Sequence, residues 1–266
     1  MDLELKGRRA LITGGTRGIG RAVATALLGE GVRVMISGRS AGTAAAAAAE
    51  LAAATGGEVH AHVADTQKDA DVDALVARTV TVLGGLDIVV NNAARPSSPP
   101  ALPGVAGVTS EQMLEELNTK VVGYLRVARA AAPHLVAAGW GRIINISGLG
   151  ARMTGSISTS VRNVGVAALT KCLADELGPK GINVTVVHPA ATRTERTADM
   201  VAARASAEGV SQAEAERMLF GGSLIGRIVE ADEVAAVVAF LCSPRSVAIN
   251  GDAVAVGGGV PRAIYY

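Results

Sequence analysis

The amino-acid sequence predicts one α/β domain in which helices cover both faces of a doubly wound parallel sheet. Short apolar runs alternate with helix-forming segments along the 266 residues, as in βαβ units joined by right-handed crossovers. The runs are continuously apolar, which is typical of strands that are buried on both faces. Hydrophobic residues make up 49% of the chain, enough for a sizeable core. Because no linker or larger repeat divides the sequence, we expect residues 1–266 to form a single domain.

Seven apolar runs rich in β-branched residues are predicted to be strands. They cover residues 9–13, 31–37, 58–63, 86–90, 142–146, 182–187 and 253–256. The helical segments between them cover residues 18–29, 41–55, 68–83, 109–138, 158–177 and 231–241. Pro133 is predicted to break the fourth helical segment, because proline removes a helical hydrogen bond. Residues 194–220 are polar with a helical pattern and alternating charge, so we expect a mobile lid there.

The turn after the first strand carries Gly14, Gly18 and Gly20 ahead of a helix-forming run. Glycine lets the backbone turn tightly and lets a phosphate approach the peptide N–H groups. The positive end of the helix dipole then faces a pyrophosphate. A glycine triplet alone also fits an ordinary turn, but between a strand and a helix it predicts a dinucleotide site.

Composition argues against several other functions. The formal net charge of +1 lacks the basic footprint of a nucleic-acid-binding protein. Cys172 and Cys242 lie far apart in the sequence, so we expect no disulfide framework and a reducing, cytoplasmic compartment. The first residues are unlike a signal peptide, and no apolar run is long enough to span a bilayer. His60 and His62 share one strand face without further ligands at metal spacing, so no metal site is predicted.

Several motifs together resemble the short-chain dehydrogenase/reductase family over nearly the whole chain. They are Thr13-Gly-Gly-Thr-Arg-Gly-Ile-Gly20, Asp65, Asn91-Asn-Ala-Ala94, Asn145-Ile-Ser-Gly148, Leu169-Thr-Lys-Cys-Leu-Ala-Asp-Glu-Leu-Gly178, Gly181-Ile-Asn-Val184, His188-Pro-Ala-Ala-Thr-Arg-Thr194 and Asn250-Gly-Asp-Ala-Val-Ala-Val-Gly-Gly-Gly259. The resemblance implies a seven-stranded, Rossmann-like sheet, a nicotinamide cofactor and a small-molecule substrate. It also implies a homo-oligomer, a dimer or a homotetramer, formed through the two long helices and the last strand.

The same resemblance implies which residues bind the dinucleotide. Asp65 would lie at the adenine ring, Asn91 near the nicotinamide-side ribose, and Thr192 and Thr194 at the nicotinamide end. Ala190 stands where the family usually has glycine. The candidate cofactor-binding residues are Gly14, Thr16, Arg17, Gly18, Ile19, Gly20, Arg39, Ser40, Asp65, Thr66, Asn91, Ala93, Pro189, Thr192 and Thr194.

The end of the second strand favours NADP(H) over NAD(H). An acidic residue there would bind the ribose 2′-hydroxyl and repel a 2′-phosphate, but this chain has Arg39 and no acid. A guanidinium can pair bidentately with phosphate, and Arg17 lies near the same place in the family. The alternative is that Arg39 is a solvated surface charge.

The catalytic positions differ from the family pattern, which uses a Tyr acid, a Lys four residues later, a Ser and an Asn. Alignment on the flanking motifs places Thr159 at the Tyr position and Asn163 at the Lys position. It places Gly148 at the Ser position, with Ser147 beside it, and Lys120 at the Asn position. Losing a placed general acid typically costs about 10² to 10⁴ in rate, so the family's usual mechanism is not expected.

Lys120 and Asn163 look like an exchange of the family's Lys and Asn. Our hypothesis is that the Lys120 ammonium serves the site from the neighbouring helix, with Ser147 or Thr159 as the hydroxyl nearest the substrate. The candidate catalytic residues are therefore Lys120, Ser147, Thr159 and Asn163. The alternative is that Lys120 reaches solvent or pairs with Glu116, one helical turn earlier.

Other candidates have weaker support. The chain has three tyrosines, Tyr124, Tyr265 and Tyr266, so the long helix cannot supply one. A C-terminal tyrosine could enter a neighbouring subunit's site or lie in a frayed tail. His188 could titrate in the nicotinamide pocket or be a packed core histidine. Arg162 could bind an acidic substrate or lie on the surface.

These residues support three functional hypotheses. The first is an NADP(H)-dependent oxidoreductase that transfers hydride to a small apolar carbonyl, enone or iminium compound under the lid. The second is a non-redox isomerase, lyase or cyclase that uses the same pocket. The third is a catalytically silent NADP-binding protein. The substrate pocket walls are expected in residues 95–107, 149–158 and 194–220.

Overall fold

The computed structural model describes residues 1–94, 104–154 and 156–261. Nine strands lie in these ranges: Arg9–Thr13 (β1), Arg33–Gly38 (β2), Val59–Val63 (β3), Ile88–Asn91 (β4), Gly141–Ile146 (β5), Ile182–Pro189 (β6), Thr192–Arg193 (β7), Val229–Glu230 (β8) and Ala253–Val256 (β9). The α-helices there are Gly18–Gly29 (α1), Ala41–Thr55 (α2), Asp69–Leu83 (α3), Ser110–Leu117 (α4), Gly123–Ala138 (α5), Ile157–Leu177 (α6), Thr197–Glu208 (α7), Gln212–Phe220 (α8) and Ala231–Cys242 (α9).

Seven strands form one parallel sheet in the order β3-β2-β1-β4-β5-β6-β9. The chain runs outward from β1 to β3 and then returns to the other side of β1 at β4. The crevice between β1 and β4 is the switch point at which doubly wound sheets bind ligands. The prediction of a Rossmann-like, seven-stranded parallel sheet is confirmed. The short β7 and β8 pair separately and were not predicted.

Helices cover both faces of the sheet. On one face, α1, α2 and α9 bury residues such as Leu27, Leu51 and Val238 against the strands. On the other face, α3, α5 and α6 bury residues such as Leu75 and Leu135. Because both faces are covered, the central strands are almost wholly buried, which explains their continuously apolar sequences.

The prediction that Pro133 breaks the fourth helical segment is wrong. Pro133 is inside α5, which continues across it. The helical segment instead changes character at Asn118–Val122, a wide π turn between α4 and α5. Burial of Ala131 and Leu135 against the sheet holds α5 together around the proline and offsets its missing hydrogen bond. Single π turns occur frequently at functional sites, and this one carries Lys120.

Among the described residues, no helix combines the length and the apolar character needed to cross a bilayer. The predicted lid segment does contain two helices, α7 and α8, which contact each other. They follow directly after β6 and β7, so they lie at the carboxyl end of the sheet.

Candidate functional site

The glycine turn between β1 and α1 forms the floor of a cavity of about 540 Å³ at the switch point. Gly14 and Gly18 have φ angles of +66° and +55°, which favour glycine. A Cβ atom built on Gly20 would lie 2.3 Å from the Gly14 carbonyl oxygen, so no side chain fits there. Asn92 fixes the turn from β4, donating from Nδ2 to the Gly14 carbonyl at 2.9 Å. The turn therefore leaves an open, rigid cradle at the start of α1.

A carboxylate side chain of the same chain contacts this cradle. The Gly18 N–H, at the N-terminus of α1, donates to the Glu195 carboxylate, with N···O distances of 3.0 and 3.3 Å. Helix N-termini attract negative charge through their unpaired N–H groups and the helix dipole. The residues present therefore fit a pyrophosphate group.

The outer part of the cavity is basic. Arg17 and Arg39 both line it and are exposed. Within the described part of the chain, neither guanidinium has an ion-pair partner. Ser40 caps α2 beside Arg39, and its Oγ accepts from the Thr43 N–H. Two guanidinium groups on one cavity, Arg39 after β2 and Arg17 in the glycine turn, are suited to a phosphate ester rather than to a bare ribose hydroxyl.

Most of the predicted cofactor-binding residues line this cavity. They are Gly14, Thr16, Arg17, Gly18, Ile19, Arg39, Ser40, Asp65, Thr66, Ala93 and Thr194. The others lie elsewhere. Gly20 is buried beneath the turn, and Pro189 lines a second cavity. Asn91 is fully buried, and its Nδ2 donates to Asn145 Oδ1 at 2.9 Å, whereas the Thr192 hydroxyl donates to the Ala190 carbonyl.

Sequence reasoning missed several residues that line the first cavity. They are Ser37, Gly38, Thr43, Ala64, Gln67, Asn92, Ala94, Thr119, Glu195 and Arg196. Asn92 had a visible signal, because it follows Asn91 directly at the end of a strand. Glu195 had none, since its contact with Gly18 joins residues 177 positions apart.

A second cavity of about 520 Å³ adjoins the first, and Ile19 lines both. All four candidate catalytic residues, Lys120, Ser147, Thr159 and Asn163, line this second cavity. Lys120 comes from the π turn, Ser147 follows β5, and the other two lie on α6, four residues apart. The fold thus brings them together from three separate elements.

Lys120 lies at the centre of this group. Its side chain is buried, and Nζ donates to the Ser147 carbonyl oxygen at 2.8 Å and to Asn163 Oδ1 at 3.0 Å. The alternative in which Lys120 reaches solvent is therefore wrong. The alternative pairing of Lys120 with Glu116 is not formed either. Glu116 Oε2 instead lies 3.1 Å from Arg162 Nη1, in a buried ion pair between α4 and α6.

The surroundings of Lys120 favour its neutral form. Burial, reinforced by the nearby Arg162 guanidinium, lowers the pKa of Lys120 to about 7, although Glu116 acts in the opposite direction. A third neighbour, His188, is itself buried, and burial together with Arg152 and Lys120 lowers the pKa of His188 to about 4. His188 is therefore neutral near pH 7. Lys120 consequently holds both protonation states close to neutral pH.

Ser147 and Asn163 are hydrogen-bonded to each other as well as to Lys120. The Ser147 hydroxyl donates to the Asn163 backbone carbonyl at 3.1 Å. A Cβ atom built on Gly148 or on Gly150 would lie 3.0 Å from Asn163 Nδ2. The absence of side chains at these two positions therefore makes room for the Asn163 amide.

Tyr124 does not supply an acid to this cavity. It is fully buried, its hydroxyl donates to the Ile146 carbonyl oxygen at 2.9 Å, and burial raises its pKa. The α6 sequence contains no tyrosine. Tyr265 and Tyr266, which were considered as donors to a neighbouring subunit, lie outside the described residues. Within residues 1–94, 104–154 and 156–261, no three metal-ligating side chains are grouped around a common point.

The walls of the second cavity are mainly small or apolar. Residues from the predicted wall segments include Leu149, Met153, Leu219 and Phe220. Residues 95–103 and 155 of the predicted walls lie outside the described residues. Further walls that the sequence did not indicate are Gly222, Ser223, Arg227, Ile228, Val229, Gly257, Gly259 and Val260. Arg227 is paired with Glu233, so its charge is balanced.

Comparison with known proteins places this geometry in context. The family described as Enoyl-(Acyl carrier protein) reductase matches residues 14–261. The 3-oxoacyl-(acyl-carrier-protein) reductase FabG of Aquifex aeolicus is 30% identical, over 98% of this chain and 100% of that protein. The uncharacterized oxidoreductase YvrD of Bacillus subtilis is 35% identical, over 99% and 100% of the two chains.

Solved structures agree with these relatives. The L-sorbose reductase of Gluconobacter frateurii, complexed with NADPH and L-sorbose, superposes with a TM-score of 0.91 at 25% identity, over 99% of this chain and 100% of that one. A variant actinorhodin polyketide ketoreductase with NADPH gives a TM-score of 0.87 at 32% identity, over 96% and 98% of the chains. With its sheet order, its glycine cradle and these matches, the chain belongs to the short-chain dehydrogenase/reductase family of oxidoreductases.

Proposed function

We propose that this chain is an NADP(H)-dependent oxidoreductase that reduces a small apolar carbonyl, enone or iminium compound and takes the proton from Lys120. Two related structures contain NADPH, which supports the choice of cofactor. In this chain the glycine turn would hold the pyrophosphate, and Arg17 and Arg39 would hold the 2′-phosphate. When bound, NADPH supplies the hydride.

The observation that carries the proposal is the position of the Lys120 nitrogen. An ammonium group has three N–H donors, and two of them are used by Ser147 and Asn163. We expect the third to face the second cavity, because Lys120 is one of the residues that line it. A general acid works best when its pKa is close to the working pH, and the pKa of Lys120 is lowered to about 7.

The cavity walls support an apolar substrate. Leu149, Met153, Leu219 and Phe220 line the same cavity as Lys120 and its partners. Arg162 also lines this cavity, but its charge is paired with Glu116, so the apolar residues leave room for the uncharged part of a substrate. The helix α8 supplies part of this wall through Leu219 and Phe220.

The test combines cofactor binding with turnover. NADPH and NADH are titrated by fluorescence, and nicotinamide absorbance is then followed with ketones, enones and quinones. We expect tighter binding of NADPH and oxidation with at least one substrate class. Binding without oxidation would contradict the reductase and favour a non-redox enzyme or a silent NADP-binding protein, which product analysis separates.

The role of Lys120 is tested with Lys120→Gln, which keeps a hydrogen-bond donor for Asn163 but removes the acid. We expect kcat to fall by about 10²- to 10⁴-fold while NADPH affinity is kept. In the wild type, kcat should fall as the pH rises through about 7, because the ammonium form is lost. The matched control is Lys171→Gln, an exposed lysine on α6. Unchanged turnover in Lys120→Gln would overturn the proposed proton source.

A further inference from the structure

The environment of Lys120 suits a second kind of chemistry that needs no nicotinamide. In the neutral amine, the two N–H groups satisfy the Ser147 carbonyl and Asn163 Oδ1. The remaining position on nitrogen is then a lone pair, and Lys120 lines the second cavity. The same arrangement that leaves one N–H in the ammonium form therefore leaves one lone pair in the amine form.

The charges around the nitrogen keep the amine form accessible. Arg162 and Glu116 form a buried ion pair beside it, so the carboxylate is shared with the guanidinium rather than given to Lys120. On the sheet side, His188 is buried and neutral near pH 7. No carboxylate within ion-pair distance of Lys120 is found among the described residues. Desolvation thus opposes the ammonium, and the pKa of Lys120 is lowered to about 7.

The cavity also has space for a carbonyl compound at this nitrogen. Gly148 and Gly150 present no side chains beside Asn163, and the surrounding walls include Leu149, Met153 and Phe220. A volume of about 520 Å³ accommodates a small apolar aldehyde or ketone. Desolvated lysines in apolar pockets are the lysines that act as nucleophiles toward carbonyl groups.

We infer that Lys120 forms an imine with small apolar aldehydes and ketones that bind in the second cavity. The inference uses the cavity and the residue of the proposed function but does not depend on its cofactor.

The reaction balances without a co-reactant. The nitrogen lone pair forms a bond to the carbonyl carbon while the C=O π pair moves to oxygen. Both amine protons then leave with that oxygen as water, and a C=N bond remains. When the imine takes a proton from solvent, the resulting N–H can donate to either Ser147 or Asn163. Once protonated, an imine formed from an enone is a better hydride acceptor than the enone itself, since its nitrogen then carries positive charge.

Trapping with borohydride tests the inference directly. The full chain, without NADP(H), is incubated with benzaldehyde near pH 7 and treated with sodium borohydride, which fixes an imine as a secondary amine. Peptide mapping by mass spectrometry then locates the added mass, equal to benzaldehyde less one oxygen atom. The exposed lysines Lys6, Lys68, Lys171 and Lys180 are controls within the same molecule.

We expect Lys120 to carry at least about tenfold more label than any exposed lysine. Lys120→Gln should lose this excess and keep the background on the exposed lysines. Equal labelling of all five lysines, or a labelled surface with Lys120 unmodified, would overturn the inference. Because the cofactor is absent, neither result depends on whether the chain reduces a substrate, so failure of the imine and failure of the proposed function are distinguishable.

Discussion

Burial of the Lys120 amine makes the stability of the fold depend on pH. The pKa of Lys120 is about 7 in the folded chain, against an ordinary value of 10.5. Between these two pH values the unfolded chain binds more protons than the folded chain, so the free energy of unfolding rises with pH. Below pH 7 the ammonium is charged in both states, and its burial lowers stability by a constant amount.

This dependence is measured by comparing the wild type with Lys120→Gln. We expect the difference in unfolding free energy to change in favour of the wild type from pH 7 to pH 10, with a slope of at most about 1.4 kcal/mol per pH unit. Denaturant unfolding at several pH values gives the slope. Arg162, Glu116 and His188, which face the nitrogen, are present in both proteins. Parallel stability curves would show that the amine is not held in its neutral form.

The surroundings of single residues were only partly predictable from the sequence. The glycine turn was predictable, because it depends on residues that are close in sequence. Gly14 and Gly18 need positive φ angles, and Gly20 packs against the Gly14 backbone. The partners of Lys120 were not, since Ser147 and Asn163 lie 27 and 43 positions away. The sequence indicated which residues would meet. It did not indicate that Glu116 would form an ion pair with Arg162 instead of with Lys120.

At the scale of elements, the segment between β7 and α7 contacts the glycine cradle. Glu195 lies in this segment, and its carboxylate accepts the Gly18 N–H that a pyrophosphate would use. We therefore expect a bound pyrophosphate to compete with this carboxylate for the Gly18 N–H. Glu195→Gln removes the charge and keeps the size of the side chain.

We expect Glu195→Gln to bind NADPH about two- to fivefold more tightly at low salt, because an exposed charge near a helix N-terminus contributes roughly 0.3–1 kcal/mol. The gain should shrink as salt is added. Fluorescence titration at two ionic strengths measures both effects. Glu208→Gln, at the other end of α7, is the matched control, since its carboxylate is paired with Arg204. Weaker binding in Glu195→Gln would mean that the carboxylate supports the cradle instead of competing for it.

Helices and strands were predictable where a pattern of apolar residues marks them. They were not predictable where only the backbone geometry distinguishes them. The buried strands have continuous apolar runs, so their positions were predicted to within a few residues. The π turn at Asn118–Val122 has no sequence signature, and it was missed although it positions Lys120. Pro133 misled the prediction because a proline is tolerated where neighbouring residues bury enough surface to hold the helix.

At the scale of the whole molecule, the parallel sheet follows from alternation of strands and helices together with right-handed crossovers. The glycine turn after the first strand allowed the position of the first cavity to be inferred before any contact was known. The detailed walls of the second cavity could not be inferred. Arg227, Val229 and Gly257 reach it from segments far along the chain, and only the completed fold brings them together.

The outer face of α6 is the surface at which we expect a second copy of the chain to associate. Ile157, Val161 and Val164 lie on one side of this helix, with exposed fractions of 44%, 47% and 51%. Leu114 on α4 and Leu125 on α5 are also exposed, and both helices contact α6. An exposed apolar surface of this kind is typical of an interface between proteins. We therefore expect a homo-oligomer, as the family resemblance implied.

Replacing Val161 and Val164 together with Glu should dissociate this oligomer, because each interface would then bury uncompensated carboxylates. Light scattering coupled to size-exclusion chromatography measures the mass, and circular dichroism checks that the fold is kept. The control is Ala45→Glu on α2, an exposed alanine on the opposite face of the sheet.

A wild-type chain that elutes at the monomer mass would contradict the expectation. An oligomer unaffected by the double substitution would place the interface on another surface, since two buried carboxylates at the centre of a packed helix pair would prevent association.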